Sequence, residues 1–241
     1  METLPEWTFL VNGLTIIPDL IMVAFIFNAS KQLNKSQGKI AFLSFVLFFF
    51  GWQILASFLA KKDFLLQNIL PGFNLILPSV IVGVTISYLL LTKWHVFKNL
   101  IERIPISWLV FIQFFRIIGA VFLVLYSQHL LPKQFAIPAG TGDVFIGITA
   151  LLVGWSLYKN KYWSIKATKW WSYLGILDLI TALVMGALTS PSPLHEIISL
   201  PFEPTNTIIG IYPLVMIPIF RVPFAITLHL LVLKKLKNNT L

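Results

Sequence analysis

The stretch FAIPAGTGDVFIG, residues 135–147, lies within a run apolar enough for lipid, yet it holds a proline, three glycines, a threonine and an aspartate. Continued through ITALLVGW to residue 155, the run has the roughly 20 residues a helix needs to cross a bilayer. Two readings of it are open. In the first, Pro138 removes an amide donor and Gly140 and Gly142 let the backbone bend, so the helix is interrupted. A restart near Thr141 then aims free amides at an anion, and Asp143 caps that restart or stands beside it. Such breaks are tolerated only where protein or a water-filled cavity satisfies the backbone, and they build solute sites in secondary transporters. In the second reading the small residues simply let a neighbouring helix approach closely.

Six further apolar runs flank this one. The seven expected spans are 8–28, 39–60, 70–92, 106–128, 135–157, 170–189 and 207–233, in one membrane domain covering 1–241. Of the 241 residues 57% are hydrophobic and 11% charged, far below the charge of a soluble domain. The expected fold is therefore an all-α membrane protein, a seven-transmembrane-helix bundle with helices 5 and 7 interrupted. The last run carries Pro213, Pro218 and Pro223 around Arg221, which favours a kink or a break.

Basic residues fix the expected topology. Thirteen fall in the loops and tail on one side, from Lys31 through Lys159 to Lys237, and only Lys61, Lys62 and Lys133 on the other. The positive-inside rule then places the N-terminus outside and the C-terminus in the cytoplasm. The net charge of +9 is thus a matter of topology and anionic lipid, not nucleic acid. Trp94, Trp108, Trp155, Trp163, Trp170 and Trp171 collect at the expected cytoplasmic edge, as headgroup anchors would. The N-terminus lacks a basic n-region, so the first run is expected to be retained rather than cleaved. With no cysteine, thiolate chemistry is excluded; no metal ligand set and no cofactor motif is expected either.

Five ionisable side chains fall inside spans: Asp19, Arg116, Asp143, Asp178 and Arg221. Each costs roughly 2.5–3.5 kcal/mol at a helix centre, so they should face inward and pair. Counting about 1.5 Å per residue from the outer ends places Arg116 about 6 Å deeper than Asp143, within reach of a long side chain, and Asp178 and Arg221 at comparable depth. The expected pairs are Arg116–Asp143 and Asp178–Arg221, which leaves Asp19 alone. Three acids against two arginines leave one carboxyl in excess, and a carboxyl without a partner in low dielectric tends to take a proton. Gln113 lies one turn from Arg116 and adds amide groups. His229 is expected near the cytoplasmic interface, with a proton-receiving role as the sharper alternative.

The expected function is a small transporter or permease-like protein with a mid-membrane Arg/Asp site. Its candidate residues are Arg116, Asp143, Asp178, Arg221, Asp19, Gln113, Thr141 and His229. Its expected partners are membrane lipids, a small anionic solute and protons. The alternatives are a membrane-embedded lipid- or isoprenoid-modifying enzyme, and a sensor or assembly factor whose charges are structural. The absence of DDxxD, HExxH and GxSxG weighs against the enzyme, and a retinal protein is disfavoured because the last span has no lysine before Lys234. Four segments carry a family likeness: QFFRIIG (113–119), LPKQFAIPAGTGDVFIG (131–147), GILDLITA (175–182) and IPIFRVPF (217–224). In these the chain resembles an uncharacterised family of bacterial seven-span inner-membrane proteins. That resemblance implies a location in the bacterial inner membrane and no chemistry.

Overall fold

A computed structural model describes residues 5–70, 73–191 and 203–239. The helices are α1 (Phe9–Ser30), α2 (Lys35–Lys61), α3 (Ile76–Lys93), α4 (His95–Arg103), α5 (Ile106–Phe111), α6 (Ala120–Ser127), α7 (Lys133–Tyr158), α8 (Ser164–Leu188) and α9 (Val222–Asn239). A 3-10 stretch, Ile112–Gly119, joins α5 to α6, and a π turn, Ile217–Arg221, leads into α9. Among the described residues seven helical stretches are long and apolar enough to cross a membrane, which makes the chain a multi-pass membrane protein. The surface agrees: Leu47 is 74% exposed and Ile54 70%, with many other large apolar side chains in the open. A soluble monomer does not present apolar surface on this scale.

The helix ends follow local chemistry. Pro105 and Pro132 stand at the N-caps of α5 and α7, where a missing amide donor costs nothing. Asp63, His129 and Asn160 adopt positive φ just beyond α2, α6 and α7, among the few residue types that tolerate the left-handed region. At two of these ends the next amide closes back onto the helix, Leu130 N to Leu125 O at 2.9 Å and Lys161 N to Ser156 O at 3.0 Å.

Three elements differ from the expected spans. The fifth is a continuous 26-residue helix, α7, with Pro138 inside it, so the expected interruption of helix 5 is not there. Pro138 falls in the second turn, where losing one hydrogen bond bends a helix end without breaking its body. The fourth span, which has no internal proline, is the one that tightens, into eight residues of 3-10 helix around Arg116. Interruption of helix 7 does occur: 3-10 turns at Asn206–Gly210 and the π turn at Ile217–Arg221 precede α9. The third span starts at Ile76 rather than at residue 70, because Asn68–Leu70 and Phe73–Asn74 pair as a short antiparallel ribbon. The segment LHEIISLPF (194–202), whose pattern suits a short amphipathic turn at the surface, lies outside the described residues.

The seventh span is the most enclosed, with 78% of its apolar window buried, against 17% for the second. It packs against the third, fourth and sixth spans, and Ser87 Oγ and Thr227 Oγ1 lock it to the third at 2.7 Å. The fifth span lies between the fourth and sixth. Of the six tryptophans expected at the interface, Trp171 does not belong there. It is 5% exposed, donates to Thr149 Oγ1 at 2.9 Å and packs at a tilt against His229.

Candidate functional site

Tight packing of α7 prepares the site. Gly140, Gly147 and Gly154 recur every seven residues on one face of the helix. A Cβ on Gly140 would meet Leu123 Cγ at 2.6 Å, one on Gly147 the amide nitrogen of Ile117 at 2.7 Å, and one on Gly154 the ring of Phe111 at 2.7 Å. The glycines therefore let the fourth span ride directly on α7, the small-residue packing reading of the opening stretch. Two further glycines make room for carboxyl groups. A Cβ on Gly119 would collide with Asp143, and one on Gly142 with the Asp178 carboxylate.

At this junction the 3-10 stretch turns Arg116 into the bundle, 3% exposed. Its Nε donates to Asp143 Oδ1 at 2.7 Å, and its Nη2 pairs with Asp178. Nη1 donates to Gly175 O at 3.3 Å and lies 3.5 Å from His229 Nε2. One guanidinium fork thus holds the fourth, fifth, sixth and seventh spans together. Gln113 precedes Arg116 by three residues, one turn of 3-10 helix, so the two side chains lie in line. Gln113 Nε2 donates to Ala225 O at 3.0 Å, and its buried Oε1 has no partner among the described residues.

Arg221 forms a second centre. Its Nη1 and Nη2 grip Asp19 Oδ1 and Oδ2 at 2.5 and 2.9 Å, and Gln53 Nε2 lies 3.3 Å from Oδ2. The expected Arg116–Asp143 pair is present; the expected Asp178–Arg221 pair is not. Depth alone cannot distinguish partners around a bundle, and the π turn faces Arg221 toward the first span while α8 carries Asp178 to Arg116. Asp19, expected to stand alone, is thereby paired. Thr141 lies away from the site: its hydroxyl is exposed and bonds back to Ile137 O at 2.7 Å. His229, expected at the interface, is fully buried and packs at a tilt against Trp171 with ring centroids 4.9 Å apart.

A cavity of about 340 Å³ reaches from this cluster toward the end of the bundle that bears the N-terminus. Its wall along α8 runs from Leu179 to Ser190, about 16 Å of helix. The middle is apolar (Leu77, Phe122, Phe135, Leu183), the far rim carries Asn74, Asn206 and Thr207, and Asp143 is the only charged residue lining it among the described residues. A gap of about 20 Å³, room for about one water, continues past Asp143 between Arg116 and Arg221. A third cavity, about 240 Å³, borders Asp19, Gln53, Ser57 and Tyr212.

Sequence reasoning passed over Gly119, Gly175, Gln53 and Asn206. Gln53 was detectable as the one amide in the apolar run FFFGWQILASF (48–58). The glycines gave no signal of their own, since their partners lie on other helices. Gly142→Ala is expected to drive the Asp178 carboxyl off its seat and cost about 1–3 kcal/mol. Unfolding in detergent reads this directly, with Gly13→Ala as the control that should be silent, because nothing lies within 4 Å of a Cβ there.

No curated protein and no solved structure matches the chain. Residues 74–237 match a family described as a domain of unknown function, DUF8737. That segment holds Arg116, Asp143, Asp178, Arg221 and His229 but not Asp19, and it spans well over half of the chain. The chain belongs to the DUF8737 family.

Proposed function

We propose that the protein is a small permease-like carrier of the bacterial inner membrane that moves a small anionic solute together with a proton. In this reading the N-terminus is outside and the C-terminus cytoplasmic, as the thirteen-to-three split of basic residues favours. One observation carries the proposal: Asp143 is both the charged floor of the large cavity and the partner of Arg116 Nε. A proton arriving from the cavity neutralises Asp143 and releases one edge of the guanidinium. A solute anion then takes the vacated edge, while Asp178 stays on Nη2. Arg116 with two aspartates carries a net charge of −1; one proton and one monovalent anion together return it to −1. Site electrostatics therefore admit anion and proton jointly and oppose the anion alone. Among the described residues Asp143 is the one carboxyl that lines the cavity, which favours a carrier over an enzyme needing an acid and a base on one substrate.

The test uses liposomes with a pH dye in the lumen and short sulfonates or phosphonates added outside, since these anions do not cross lipid as neutral acids. Wild type is expected to acidify the lumen with at least one of them, and Asp143→Asn to lose that response. Acidification that persists in Asp143→Asn removes Asp143 from the mechanism. No response to any member of the panel removes the small-anion carrier.

A further inference from the structure

The outer approach to the charged cluster is an open cavity; the opposite half of the bundle is built differently. It contains instead a line of polar atoms. His229 lies against Gly175 of α8, and a Cβ on that glycine would collide with the imidazole. From Gly175, Ser172 and Thr168 follow on the same stripe of α8, three and seven residues nearer its start. Thr168 is thus about 10 Å of helix rise beyond the level of His229, and only one turn from Ser164, where α8 begins.

All three side chains are fully buried, at 0% exposure. His229 Nδ1, Ser172 Oγ and Thr168 Oγ1 have no hydrogen-bond partner among the described residues. The hydroxyls are the telling feature. Buried hydroxyls in apolar helices ordinarily bond back to the carbonyl three or four residues earlier, and this chain follows the habit elsewhere. Ser87, Thr92 and Thr189 each donate back four residues, and Ser156 three, at 2.7–2.8 Å. Thr168 and Ser172 do not. Their hydroxyls are held available, in a place where an orphaned polar group costs about 1–3 kcal/mol. Three such groups in sequence ask for a shared partner, and buried water bridging otherwise unpaired polar atoms supplies one.

We infer that His229, Ser172 and Thr168 form a water-bridged proton relay linking Arg116 and its two aspartates to the end of the bundle that bears the C-terminus. The inference rests on the proton-coupled reading given above and supplies its missing half. Imidazole suits the first position because it can accept at one ring nitrogen while releasing from the other. Its Nε2 edge faces Arg116, which leaves Nδ1 for the hydroxyls. Tilted contact with Trp171, at 56° between the ring planes, holds the imidazole between the two. Arg116 is the charged side chain that faces His229, with Asp143 and Asp178 on its other donors.

Water contact is measurable without any solute. The chain has four histidines, so protein labelled with nitrogen-15 histidine in a lipid bilayer gives few imidazole signals, and His229→Gln identifies the one that belongs to His229. Water-edited solid-state NMR then reads transfer of magnetisation from water to each ring. The expected result is transfer to His229 Nδ1 in wild type and its loss in Ser172→Ala/Thr168→Val, with the signals of the other histidines unchanged as evidence of an intact fold. No transfer to His229 in wild type overturns the relay, as does transfer that survives undiminished in the double variant. Failure of the carrier reading shows separately, as a lumen that no anion acidifies, and leaves this readout standing.

Discussion

Arg116→Leu is expected to lower the unfolding free energy by about 3–5 kcal/mol, the cost of stripping one partner from a buried ion pair. The size follows from what remains behind. Asp143 and Asp178 both converge on this guanidinium, Asp143 at 2.7 Å from Nε. Without it two neighbouring carboxylates face each other inside an apolar bundle, seated against Gly119 and Gly142. The same variant loses the bond to Gly175 O that draws in the sixth span. Replacing all three residues, Arg116→Leu with Asp143→Asn and Asp178→Asn, removes the uncompensated charge and should recover most of the loss. Denaturant titration in detergent, followed by tryptophan fluorescence, measures both. A single variant as stable as wild type would mean that Arg116 is not the hub of these spans.

Arg221→Gln should behave similarly for a different reason. The first span is largely lipid-facing, with Leu10, Ile16, Ile17 and Leu20 all exposed, so its hold on the bundle depends on few contacts. The bidentate clasp of Arg221 on Asp19 is the strongest of these. Arg221→Gln leaves Asp19 with Gln53 alone and is again expected to cost about 3–5 kcal/mol. Asp19→Asn in the same chain should restore part of it, and the double-mutant cycle gives the coupling, expected between about 0.5 and 3 kcal/mol. Detachment can also be read chemically. The chain has no cysteine, so Thr15→Cys, placed at a buried position one turn from Asp19, reports on the first span alone. Alkylation should be slow with Arg221 present and fast in Arg221→Gln.

The two centres explain how far the sequence could be read. Seven spans were legible because hydropathy and length act on each run independently of its neighbours, and their limits agree within a few residues except at the third, sixth and seventh. Which side chains meet was legible only where connectivity constrains geometry. Spans four and five are joined by a short turn, so Arg116 and Asp143 could be matched by depth. Spans one and seven are distant in sequence, and nothing local announces that Asp19 and Arg221 meet. The glycine-rich stretch misled because its two readings share one composition. Pro138 lies close enough to the start of α7 for the helix to continue through it, and the glycines serve contact with the fourth span instead. The 3-10 stretch around Arg116 had no signature, since it comes from what the fourth span packs against rather than from its own residues. His229 looked interfacial by its distance from the chain end, but Gly175 opens a recess for it that only the sixth span reveals.

The central claim is that Asp143 alternates between holding Arg116 and holding a proton. Infrared spectroscopy of the protein in lipid reads this without any substrate, through the carbonyl band of a protonated carboxyl followed from about pH 5 to 9, the range in which a proton-exchanging acid must titrate. The account predicts a band that grows as pH falls and that Asp143→Asn deletes, while Asp19→Asn, in the separate Arg221 clasp, leaves it in place. A spectrum with no titrating carboxyl in that range would contradict it, and the aspartates and arginines would then be struts that only fasten the helices.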